Sequence, residues 1–151
     1  MRECDALKVV RQNGLDLQYL DDKFKNNRRV VIAAIRQNGL ALQYASRELQ
    51  NDKRIVLEAV EHDGSALQFA SNGLKNDKEV VLEAVEQGGT DGNPLQHASK
   101  ELQDKLYIVA HAFVTNPTAI WHASERLKND PRVRFLSLEQ DEERDKFWEE
   151  L

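Results

Sequence analysis

Cysteine is almost absent from this chain, and long apolar runs are absent altogether. Cys4 is the single cysteine in 151 residues, so there is no intramolecular disulfide framework, and a reducing compartment is compatible with the composition. No apolar stretch approaches the roughly 20 residues needed for a membrane-crossing helix. The opening MRECDALKVV is interrupted by charge and followed by no hydrophobic stretch, unlike a secretory leader, and the overall composition is of the intracellular type. No Gly-rich phosphate loop follows a strand pattern. No Cys-x-x-Cys or His-Glu-x-x-His spacing links Cys4, His62, His97, His111 and His122, and no nucleophile is matched with a base and an orienting group. Catalytic residues, a metal site and a cofactor are therefore not expected.

What the chain has is repetition. The stretch NDKRIVLEAVEHDGSALQFASNGLK, residues 51–75, is rewritten at 26–50, 76–103 and 104–128, with a period of 25 residues and three extra in one copy. Apolar columns recur: Leu17, Leu42, Leu67, Leu95 and Ile120; Leu20, Ala45, Ala70, Ala98 and Ala123; Phe24, Leu49, Leu74, Leu102 and Leu127. Such self-similarity marks stacked supersecondary units.

Each unit reads as two helices. An Asn or Asp (Asn26, Asn51, Asn76, Asp104, Asn129) precedes each apolar run and is expected to cap the first helix. Ile55, Val56, Ala59 and Val60 then form one apolar face at 100° per residue. Gly14, Gly39, Gly64 and Gly89 share a column where a positive φ is expected to end that helix. The ALQFAS segment should open a second helix of about ten residues, with Leu67, Ala70 and Leu74 on its inner face. A helix so short is unstable alone, so neighbouring units must support it. A second column, Leu7, Ile32, Leu57, Leu82 and Ala110, suits packing between units. The expectation is an all-α fold: an α-solenoid, in a right-handed superhelix, of 25-residue two-helix repeats.

One repeat domain spans 1–151. Residues 1–25 read as a partial repeat lacking its capping start, either a degenerate cap or the edge of something longer. Full repeats follow at 26–50, 51–75, 76–103 and 104–128, the third with the loop insertion Gly88–Pro94. Residues 129–151 read as a terminal repeat and capping helix, with Pro131 in a first turn and Phe147, Trp148 and Leu151 covering the core.

Leu42-Gln43-Tyr44-Ala45-Ser46, Leu49, Asn51-Asp52 and the Val80-Val81 to Ala84-Val85 spacing resemble the bacterial and protist repeat family known as domain of unknown function 4116. The resemblance covers nearly the whole chain. It implies tandem short helices, often within longer multi-repeat proteins, and no assigned activity. The fourth unit departs from it, with Asn116-Pro117 in place of the Asn-Gly or Gly-Gly turn and Trp121 in place of glutamine.

The columns left for function lie on the second helix: Gln18, Gln43, Gln68, Gln96 and Trp121, beside Tyr19, Tyr44, Phe69, His97 and His122. Phe69 stands 200° from Leu67, off the main apolar face. These rings either pack against the neighbouring unit, with the glutamines bonding backbone, or form an aromatic and amide ladder for an extended peptide or polymer. Ser46, Ser71, Ser99 and Ser124 have no catalytic partners; small residues there permit close helix approach or bond back to the preceding turn. Charge is unevenly spread. Residues 1–54 carry 11 Lys and Arg against 7 Asp and Glu, residues 55–103 carry 3 against 9, and residues 104–151 carry 7 against 10. One column switches sign, from Arg11 and Arg36 to Glu61 and Glu86. That is either an ordinary solvated face or a bipolar surface that orients a partner or favours self-association. The expected function is a non-enzymatic scaffold binding a peptide or protein. The alternative is a nucleic-acid-binding helical repeat using the Gln and aromatic ladder, against which stand a pI of about 5.4 and the lack of a continuous basic stripe.

Overall fold

Five ten-residue α-helices begin where the apolar runs begin: α1 (Glu3–Gln12), α2 (Arg28–Gln37), α3 (Lys53–His62), α4 (Lys78–Gln87) and α5 (Leu106–Thr115). They belong to a computed structural model that describes residues 1–90 and 92–135. The covering role expected of Phe147, Trp148 and Leu151 lies outside those residues. Among the described residues the fold is all-helical, without a strand. Each long helix packs on the next, α1 on α2 through to α5, and buries the expected face, with Ile55, Val56, Ala59 and Val60 all inaccessible to solvent or nearly so. No helix among the described residues is long and apolar enough to cross a membrane.

The caps lie one residue later than expected. Asn27, Asp52 and Asp77 hold the cap positions, and each accepts the backbone N–H groups of the second and third helical residues, as Asp52 does from Arg54 and Ile55 at 3.0 and 3.2 Å. Lys105 stands at the cap of α5 and supplies no such bond. The preceding Asn has a different job. Ser46 Oγ donates to Asn26 Oδ1 at 2.5 Å and Ser71 Oγ to Asn51 Oδ1 at 2.6 Å; Ser99 pairs with Asn76, and Ser124 with Asp104, in the same way.

Those serines sit at a break in the second helix, which is not one α-helix of ten residues. It is a 3₁₀ helix (Gly14–Tyr19, Gly39–Tyr44, Gly64–Phe69, Pro94–His97, Pro117–His122), then two extended residues, then one short helical turn such as Arg47–Gln50. The 3₁₀ form tightens the chain so that the Leu67 column still points inward before Ala70 re-aims the backbone. Leu67, Ala70 and Leu74 are buried as expected. The serine hydroxyl caps the short turn, Ser46 Oγ accepting from Leu49 N at 3.3 Å, while its backbone N–H donates to Lys25 O at 2.8 Å. Every polar atom of that serine is thus committed to holding one segment against another.

The glycines also act differently from the expectation. Among the described residues positive φ occurs only at Gly88 (69°) and Gly92 (116°), both in the third unit's insertion. Gly14, Gly39 and Gly64 instead open the 3₁₀ helices where no side chain fits: a Cβ would stand 2.3 Å from Ala34 O, 2.6 Å from Ala59 O and 2.1 Å from Ala84 O, respectively. Gly89 lies in the insertion, against Ser65, and starts no helix. The insertion folds back on the preceding unit, with Thr90 Oγ1 donating to Asp63 Oδ2 at 2.6 Å.

Two measurements follow from this packing. Gly39→Ala should cost about 1–3 kcal/mol, or roughly 3–10 °C in Tm, by forcing a methyl into a carbonyl. Gly73→Ala should raise Tm by about 1–3 °C, because Gly73 has helical φ/ψ and its nearest neighbour, Ser71 Oγ, is 3.9 Å from an added Cβ. Thermal melts of the two variants beside wild type check both expectations.

Arg28 donates to Asp52 at 2.6 Å and, opposing the effect of partial burial, holds that carboxyl below its ordinary 3.8. A depressed folded-state pKa stabilises above the unfolded value and loses that contribution as pH falls through the folded one. Asp52→Asn keeps the cap but not the ion pair. It should melt about 1–3 °C below wild type at pH 7, since a partly exposed pair is worth little. The gap should close as the pH is taken from about 5 to below 3.8.

Candidate functional site

The last two residues of these five 3₁₀ helices are the paired columns read from the sequence: Gln18 with Tyr19, Gln43 with Tyr44, Gln68 with Phe69, Gln96 with His97, and, with an indole in place of the amide, Trp121 with His122. Successive 3₁₀ helices contact one another, so the five pairs succeed each other along one layer. Their environments differ. Tyr44 and Phe69 are half-buried and pack against the core. Tyr19 and Trp121, in the first and fifth pairs, are 78% and 74% exposed. The ladder is therefore part core at its centre and open at either end.

The glutamines divide too. Gln43 Nε2 donates to Leu40 O at 3.1 Å, within its own 3₁₀ helix rather than between units. Gln18 and Gln68 are half-buried, and Gln96 is exposed.

The fullest gathering of site residues is at the fourth and fifth pairs. Gln96, Trp121 and His122 line a groove of about 380 Å³ together with Lys100, Gln103 and Lys128. His97 lies next to them. Burial, followed by the charges of Lys75 and His122, pushes its imidazole below the ordinary 6.5, so it is neutral at pH 7. Burial also lowers the Lys75 ammonium. The groove thus combines a broad exposed indole and amides with charged side chains of both signs, since Glu125 also lines it and holds Lys128 at 2.7 Å.

Two residues that organise this layer went unread in the sequence. Gln50 Nε2 donates to Leu42 O and Gln43 O at 3.1 and 3.2 Å. Gln103 Nε2, on a side chain only 4% exposed as a residue, donates to Leu95 O, Gln96 O and Ala98 O at 3.0–3.2 Å. They satisfy the free carbonyls at the end of the 3₁₀ helix. The signal was a column alternating Lys25, Gln50, Lys75, Gln103, Lys128: two residue types whose common property is a donor on a long stem.

The remaining candidates stay apart. His62 and Cys4 are exposed on separate long helices. Among the described residues no group of three or more His, Cys, Asp or Glu is placed to hold a metal ion. The four serines are consumed as caps and rungs.

The profile of the family described as Domain of unknown function (DUF4116) matches residues 6–50 and again 52–103. The chain belongs to that family, and the double match follows its tandem repeats. No curated protein and no solved structure matches the chain.

The rings give a direct stability test. Tyr19→Ala and Trp121→Ala should each change Tm by about 1–2 °C or less, as exposed substitutions fall within ±0.5 kcal/mol. Phe69→Ala should cost about 1–3 kcal/mol, near half of what a fully buried ring loses, and lower Tm by roughly 3–10 °C.

Proposed function

We propose that this chain is a non-enzymatic interaction scaffold: a right-handed α-solenoid whose 3₁₀ layer receives an extended peptide or protein segment. The observation that carries this reading is the exposure of Trp121 over the groove shared with Gln96 and His122. A large ring left in water, beside amides that can pair with a backbone, has the composition of a recognition hot spot. The 25-residue recurrence of the long helices, and the helix-on-helix contacts running through α1 to α5, support the solenoid. The commitment of serine, glycine and cap residues to packing supports placing function on the ladder, which retains free surface.

The test is selection of peptides from a displayed random library on wild-type protein, followed by affinity measurement on Tyr19→Ala plus Trp121→Ala. Selected peptides should lose about tenfold or more in affinity for the double variant, the scale of one or two hot-spot truncations. Their binding should weaken only a few-fold between about 50 and 500 mM NaCl. Peptides indifferent to the double variant would remove the ladder from consideration. If single-stranded nucleic acid binds the same rings and is released steeply by salt, the occupant is a phosphate backbone instead.

A further inference from the structure

We infer that the outer face of the long helices pairs two copies of this chain across a twofold axis parallel to those helices, leaving the 3₁₀ layer free. The helices lie side by side in one direction. Arg28 at the start of α2 meets Asp52 at the cap of α3 at 2.6 Å, and Arg36 near its end meets Glu58 at 2.6 Å. Lys53 and Asp77 join α3 to α4 at 2.8 Å, and Arg29 and Glu3 join α2 to α1 at 3.1 Å. The unit-to-unit register of the sequence is therefore a spatial register.

Across that face run two columns. Leu7, Ile32, Leu57 and Leu82 are half-buried, with apolar surface still open. One turn further along, on the same stripe, stand Arg11, Arg36, Glu61 and Glu86, all exposed. The order plus, plus, minus, minus complements itself when reversed. A twofold axis between α2 and α3, parallel to them, reverses the order of helices and keeps their direction. It sets Arg11 opposite Glu86 of the second copy and Arg36 opposite Glu61, each contact occurring twice. Lys8 then faces Glu83, and the leucine column faces itself. Two oppositions of like charge remain, Arg29 to Arg54 and Arg28 to Lys53; in them Arg29, Arg28 and Lys53 are already paired within the chain, with Glu3, Asp52 and Asp77.

The occupant is argued from charge and area together. Between α1 and α2, Arg11, Arg29 and Arg36 rim a groove of about 400 Å³ floored by Leu7, Ile32 and Ala33, and the partner offers it an acidic half with leucines. Four helices about 15 Å long and about 9 Å apart present about 500 Å² per copy, or about 1,000 Å² in all, the lower bound for a specific interface. The dimer should therefore form in the micromolar range. A head-to-tail contact, the other use of a bipolar molecule, does not close and yields growing chains.

Sedimentation velocity of the full chain, from about 5 to 200 μM at about 50 mM NaCl, should show a monomer–dimer equilibrium that weakens about tenfold or more in 500 mM salt. Arg11→Glu alone and Glu86→Arg alone should each raise Kd at least tenfold, because each places like charges together twice. Mixing the two variants, or combining both changes in one chain, should restore dimer to within about threefold of wild type. That rescue separates lost complementarity from lost folding. A wild type that stays monomeric throughout the range, a dimer indifferent to both reversals, or a series of ever larger species would each overturn the inference.

Discussion

The separation of one unit from the next is set where a 3₁₀ helix begins against the carbonyl of the following long helix. Gly14, Gly39 and Gly64 lie so close to Ala34, Ala59 and Ala84 that no side chain can be interposed, and the other contacts are scaled to that approach. The serine hydroxyls reach their Asn or Asp acceptors, the Arg28 and Lys53 side chains reach the next cap carboxylate, and the apolar faces join in one buried cluster. Small residues at the closest approach, with directional bonds around them, give a stack in which each unit is positioned mainly by its immediate neighbours.

Periodicity made the architecture legible and hid its details for the same reason. A 25-residue recurrence with buried positions at helical spacing identifies the first helix of each unit and its inner face, and Val30, Ile55 and Val80 are buried as the pattern requires. It cannot say which residue of Asn26-Asn27, Asn51-Asp52 or Asn76-Asp77 caps a helix, since both are capping types; only geometry shows that Asp52 caps and Asn51 receives a serine. It likewise marks Gly39 as special without distinguishing a turn conformation from a steric limit. The break at Ala45 was missed because a 3₁₀ helix followed by a capped turn keeps Leu42, Ala45 and Leu49 on one side, as a single α-helix would.

The candidate site was readable as a pair of columns but not as an environment. Tyr19 and Phe69 occupy the same column, yet one is open and the other half-covered, because exposure depends on which neighbours a unit has. Gln50 and Gln103 escaped notice because lysine replaces them in alternate units, and identity rather than donor chemistry defined the columns. With those two saturating backbone carbonyls, and Lys100 and Lys128 held by Gln103 and Glu125, the layer retains Trp121 and Gln96 as groups whose surface is unspent.

Lys105 stands where Asn27, Asp52 and Asp77 cap the preceding helices, and α5 starts without a side-chain bond to its first amides. The cross-unit bridge to a cap carboxylate, present from α2 to α3 and from α3 to α4, is lost at the same joint. In a linear array, cooperativity is transmitted only through consecutive couplings. The junction between α4 and α5 therefore transmits coupling through the packing of the two helices, with Ile108 and Val109 fully buried, rather than through cap bonds.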